Sequence, residues 1–210
     1  MNTLKLLLLT TLLISCSNSE KENKIKLASI NELIPAGYEI VESGNELNKI
    51  RTDLNNDGIP DYVILLASGK NNKDYSNSKD IRLAIFEGKK NGSYKFKSQS
   101  GNLTASFLHI NLDKRIRIAN KNIIHLKHQS MRHDYELKFK YESKYENYML
   151  IGYKYNNYGN ATHEGSRNVD INFLSKKNIS TTSEKNRKKI EDKLKPISAI
   201  NDSNIYELIR

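Results

Sequence analysis

Cysteine is nearly absent from the 210-residue chain, with Cys16 the only one; tryptophan is missing altogether and proline occurs three times. One cysteine excludes an intrachain disulfide, so the fold has no covalent staple of that kind. The most apolar stretch, residues 6–14, is too short to stay across a bilayer, which takes about 18 or more apolar residues in a row. No G-x-S-x-G, no cysteine nucleophile set with a histidine and no phosphate-cradling glycine loop is present. Hydrolase and nucleotide chemistry therefore have no residues to rest on. Acidic residues are the scarcer charge, 24 against 34 Lys and Arg, for a net charge of +10. Taken alone, that balance points to nucleic acid or another polyanion.

Lys5 followed by Leu6-Leu7-Leu8-Leu9 and Leu12-Leu13-Ile14, then Ser15-Cys16, has the layout of an export signal over residues 1–16. Leu13-Ile14-Ser15-Cys16 resembles a bacterial lipobox, in which the cysteine is acylated and becomes the first mature residue. The alternative is a conventional signal peptide with Cys16 incidental. Residues 17–27 are polar and aperiodic and read as a tether, leaving 28–210 as a single β-rich domain. The lipobox resemblance implies an exported chain anchored to the membrane by lipid on Cys16, with Ser17 rather than Asp favouring the outer membrane. An exported chain does not meet nucleic acid. The basic excess is then a solvated lysine face or an attraction to anionic head groups or surface polysaccharide.

The segment Asp53-Leu54-Asn55-Asn56-Asp57-Gly58-Ile59-Pro60-Asp61 reads D-x-N-x-D-G-x-x-D and runs into the apolar Tyr62-Val63-Ile64-Leu65-Leu66. Oxygen side chains at loop positions 1, 3, 5 and 9, with the carbonyl at position 7, suit one hard cation, and Gly58 permits the sharp turn at position 6. An EF-hand would place Glu at position 12 and a helix on each side; here position 12 is Ile64 and the following residues favour a strand. The pattern resembles the calcium loops of FG-GAP and integrin-type β-propeller repeats. That resemblance implies Ca2+ held by Asp53, Asn55, Asp57 and Asp61 through side chains and by Ile59 through its carbonyl. The absence of Glu at position 12 suggests a weak site, with Kd on the order of 10⁻⁴ to 10⁻³ M. The same residues also make an Asx-rich turn without any metal.

The rest of the chain reads as mainly β, in antiparallel meanders, with short helices near both ends. A helical turn is expected at Ser29–Leu33, stopped by Pro35 and Gly37, and a first strand over Tyr38–Glu42. Tyr62–Ala67 is apolar throughout, as in a strand buried on both faces. Residues 69–80 make a long polar loop, and Ile81–Glu87 with Ser93–Lys97 a hairpin. Strand, calcium loop, strand, loop and hairpin together resemble one propeller blade. Ile116 and Ile118 with Ile124 and Leu126 bracket a turn at residues 120–122. Tyr135, Leu137, Phe139 and Tyr141 alternate with charged residues, Tyr148–Tyr155 pairs with them, and Val169, Ile171 and Phe173 mark a further strand. Ser183–Leu194 reads as a basic surface helix ended by Pro196, and residues 204–209 as either an edge strand or a helical turn.

His125, His128 and His133 are close in sequence, but 125 and 128 point to opposite faces of a strand and no acid or cysteine completes a zinc set. They are expected at the surface or in a hairpin loop. Tyr145, Tyr148, Tyr153, Tyr155 and Tyr158, with residues 159–167, make either a binding rim or the cover of a sheet face. The order of lipobox, Ile34-Pro35-Ala36-Gly37-Tyr38, the acidic loop, Leu150-Ile151-Gly152-Tyr153 and Asp170-Ile171-Asn172-Phe173-Leu174 resembles uncharacterised lipoproteins of Bacteroidetes and other Gram-negative bacteria. That resemblance implies location and fold, and no activity. Three roles stay open: a calcium-stabilised module that binds a glycan or protein at the envelope, a periplasmic antagonist of a toxin or hydrolase, and a purely structural envelope protein.

Overall fold

The computed structural model describes residues 29–43, 46–69, 80–103, 115–129, 132–180, 194–205 and 207. The expected export signal with Cys16, the expected tether, most of the loop expected at 69–80 and residues 183–193 of the expected basic helix lie outside them. The described residues are mainly β: thirteen strands, all paired antiparallel, in two larger sheets and one small hairpin.

The first sheet follows from the longest apolar runs. β5 (Asp61–Ser68) and β6 (Asp80–Gly88) are buried on both faces and form its centre, with β7 (Tyr94–Gln99) beyond β6. The other edge of β5 is shared by two short strands, β1 (Tyr38–Ile40) on its second half and β4 (Lys49–Thr52) on its first. Between them β2 (Glu42–Ser43) and β3 (Glu46–Leu47) pair with each other, so the expected strand over 38–42 is interrupted. The interruption is sealed by the Val41 amide on the Leu65 carbonyl and the Leu65 amide on the Asn48 carbonyl, each at 2.9 Å.

The second sheet runs β13-β12-β11-β10-β9-β8, comprising β8 (Ile116–Ala119), β9 (Ile123–Gln129), β10 (His133–Glu142), β11 (Asn147–Asn157), β12 (Arg167–Asn172) and β13 (Lys177–Ser180). The connections β8–β9, β10–β11 and β12–β13 take three or four residues each, and β11–β12 a longer loop over 158–166. Glu146 adopts a left-handed φ of 47° to bring β11 back alongside β10.

Strand alternation sorts side chains between the layers. Val63, Leu65, Ala67, Ile81, Leu83 and Ile85 of the first sheet share one core with Ile124, Leu126, Tyr135, Leu137, Phe139, Leu150 and Tyr153 of the second. The opposite face of the first sheet is covered in part by the 3-10 turn Ile30–Leu33, whose Ile30 packs with Ile64, Leu66, Ala84 and Phe86.

The C-terminal segment closes the space between the sheets. The Leu150 amide bonds to the Lys195 carbonyl, the Gly101 amide to the Ile200 carbonyl, and Ile197, Ile200 and Ile205 enter the shared core. The tail ends in a helical turn, Asp202–Ile205, rather than an edge strand.

Candidate metal site

The acidic loop leaves β4 and enters β5, and the pair Thr52–Asp61 closes its base. Inside that closure, Asn56 and Gly58 take φ of 63° and 82°, the left-handed region that a glycine adopts without strain. The turn winds around the Asp53 carboxylate. Its Oδ1 accepts the amides of Asn56 at 2.8 Å and Asp57 at 3.2 Å, and its Oδ2 accepts that of Gly58 at 2.9 Å. Asn55 accepts the Asp57 amide through Oδ1 and donates from Nδ2 to Asp57 Oδ2, both at 3.0 Å. Asp57 Oδ1 accepts the Ile59 amide at 2.8 Å. Asp53, Asn55 and Asp57 are thus brought together.

Asp61 is placed differently. As the first residue of β5 it shares the core-facing side with Val63, Leu65 and Ala67, and it is wholly buried. Its Oδ2 accepts the Leu54 amide at 3.0 Å and its Oδ1 the Gly88 amide at 2.9 Å. Burial pushes this carboxyl above the ordinary range, and the two amides pull it partly back. The sequence pattern puts Asp61 with the other side-chain ligands; in the fold its oxygens tie the loop to the end of β6.

Three further contacts fix the loop. Leu54 is buried in the shared core. Asn122, in the β8–β9 turn, donates to Asn56 Oδ1 at 2.8 Å, so the loop touches both sheets. Gly88 lies so close to the loop that a Cβ there would run into the Pro60 carbonyl oxygen and come within 2.7 Å of Ile59 Cγ2. Sequence alone marks Gly88 and Asn122 only as positions in hairpin turns.

The donor chemistry suits a hard cation: every side-chain ligand in the predicted set has an oxygen to offer, and three of the four are carboxylates. On a chain with 34 Lys and Arg, none of the Asp53, Asp57 and Asp61 carboxylates has a Lys or Arg within ion-pair distance among the described residues. The carboxylates are not drawn into a closed cage, however. Among the described residues no group of three or more His, Cys, Asp or Glu side chains is gathered to hold a metal.

The histidines correct one expectation. His125 and His128 do face opposite sides of β9, but both are buried rather than at the surface, 7% and 5% exposed. His125 Nδ1 lies 2.9 Å from Glu136 Oε1, which Arg117 also reaches at 2.7 Å. These contacts, the hydrogen bond from His125 first and Arg117 behind it, hold the Glu136 carboxyl down at about 2 although burial opposes them. His128 stands on the inner face, 4.8 Å from the Tyr135 ring and 5.7 Å from that of His133. The tyrosines form no continuous rim. Tyr148 and Tyr153 are wholly buried and Tyr155 is half-buried, with Tyr145 and Tyr158 exposed. No protein-family model matches the chain, and no curated protein or solved structure matches it.

Proposed function

We propose that the chain is a lipid-anchored protein of the bacterial cell envelope, acting without catalysis as a calcium-stabilised binding or scaffolding module. One observation carries the calcium part: three carboxylates, Asp53 and Asp57 on the loop and Asp61 at its base, have no cationic partner among the described residues, and the loop contacts both sheets. Asp53, Asn55, Asp57 and the Ile59 carbonyl would hold the ion, with Asp61 adding its charge from beneath. A bound cation supplies a positive centre that offsets this charge and locks the turn between β4 and β5. We read the meander β4–β7 as the blade-like unit that such loops serve. The envelope location rests on the export signal and on Cys16 at the lipobox position.

Thermal melts in calcium and in chelator test the first part. At calcium about tenfold above Kd the gain is ~1.4 kcal/mol, or about 3–6 °C in a domain of this size. Asp57→Ala should abolish that gain; a wild-type melt unmoved by chelator refutes calcium binding. For the anchor, Cys16→Ser should stop acyl labelling, and labelling that persists refutes it.

A further inference from the structure

The outer face of the first sheet carries a cluster that the acidic loop does not use. Four residues line up across four strands: Arg51 on β4 faces Tyr62 on β5, Tyr62 faces Phe86 on β6, and Phe86 faces Phe96 on β7. Tyr94 stands beside Tyr62 with ring centroids 4.9 Å apart, and Phe86 meets Phe96 edge-on at 5.9 Å. The result is a row about 14 Å long, three strand spacings, whose aromatic part spans two of them; Phe86 is buried beneath it, packed with Ile30, Tyr62 and Tyr94, and the half-buried Tyr62 and Tyr94 with Phe96 form the accessible shelf. Its far end is open, because Phe96 is 52% exposed. Phe96 stands on β7, the edge strand of this sheet, where a ligand reaches its ring without disturbing the fold.

The other end of the shelf is cationic. Lys49 Nζ lies 5.8 Å from the Tyr62 ring centroid, and Arg51 Nε donates to Tyr94 Oη at 3.0 Å. Neither cation has a carboxylate within ion-pair distance among the described residues. By contrast Lys95 and Lys97, on the same β7, are both paired with Glu87.

We infer that this shelf binds a carboxylated carbohydrate, an oligosaccharide of the uronic-acid type. The apolar face of a sugar ring packs flat on an aromatic ring. A carboxylate on that sugar meets Arg51, whose planar fork is fixed at the rim by Tyr94. An acidic peptide fits less well. A peptide added to this sheet would run along β7 and take its main-chain bonds there, whereas the shelf runs across the strands. The inference rests on the binding reading proposed above but not on calcium, so the two fail separately.

The test is calorimetric titration of the full-length protein in detergent with oligogalacturonate and hyaluronan oligosaccharides, with maltohexaose as the neutral control, in calcium and in chelator. Expected is saturable, salt-sensitive binding of an acidic oligosaccharide. It should be weakened about tenfold by Phe96→Ala and by Arg51→Ala, and unchanged by Leu174→Ala, which alters an exposed residue just after β12. The inference is overturned if neither acidic probe binds, if maltohexaose binds as well, or if Phe96→Ala binds like wild type. A marked fall in the melting temperature of Phe96→Ala also overturns it, because the chain itself would then cover the shelf. Loss of the calcium-dependent melting shift with glycan binding intact would sink calcium alone.

Discussion

Replacing Asp61 with alanine removes the one side chain that fastens both the start of the acidic loop and the end of β6. In the fold its two oxygens accept the Leu54 and Gly88 amides, and the residue is wholly buried. Without it two amides lose their acceptor, each at a cost of about 1–3 kcal/mol. Part of that is returned, because an ionised carboxylate no longer has to be kept out of water, a cost seen in the upward push on its carboxyl. The net loss is about 2–4 kcal/mol, a large share of the ~5–15 kcal/mol that stabilises a domain. For a chain of this length that is about 5–15 °C in melting temperature. The assay is thermal unfolding by circular dichroism in chelator, so that no metal contributes to the difference. Asp57→Ala is the comparator: its contacts within the loop are exposed, so in chelator it should cost less than about 1 kcal/mol. If Asp61→Ala melts within about 2 °C of wild type, or no lower than Asp57→Ala, the clasp reasoning is refuted.

Two other substitutions probe groups whose burial the fold explains. Tyr148→Phe should leave stability unchanged or raise it by about 1 kcal/mol, because the Tyr148 hydroxyl is buried with no hydrogen-bond partner among the described residues. A loss larger than that in a chemical denaturation series would mean that the hydroxyl is satisfied after all. Glu136 gives a pH signature: its folded carboxyl sits at about 2 against an ordinary 4.5. Its contribution is therefore present above pH 4.5 and is lost as pH falls toward 2, an upper bound of about 3 kcal/mol. Glu136→Gln should be less stable than wild type at neutral pH and converge with it near pH 2, and parallel acid limbs would rule this out.

The strands were legible wherever burial imposes a periodicity. β10 announces itself because Tyr135, Leu137, Phe139 and Tyr141 alternate with charges, and the fold puts Tyr135, Leu137 and Phe139 in the core. β5 announces itself as an unbroken apolar run, because one of its faces meets the second sheet and the other the Ile30–Leu33 turn. Short pieces escape this logic. β4 holds four residues and takes its identity from β5, to which it is hydrogen-bonded. Ile197, Ile200 and Ile205 sit among turn residues and become core only because the last segment is carried between two sheets brought together elsewhere.

The same contrast governs the site. The motif named the loop, and the loop is wound as a D-x-N-x-D-G turn must be, around the carboxylate of its first residue. A motif weighs its acidic positions alike, but a strand does not. Asp61 belongs to β5, so its direction is set by the pleat, in phase with Val63, Leu65 and Ala67. Counting back from the apolar run in steps of two turns it inward on the sequence alone. What no count could supply is the far side of each contact. Gly88 is 27 residues from Asp61 and Asn122 is 66 from Asn56. Both pairs exist only because sheet order brings hairpin ends to one edge of the molecule. The loop is therefore local in its winding and non-local in its anchoring, and a cation that tightened the turn would act on both sheets through those two anchors.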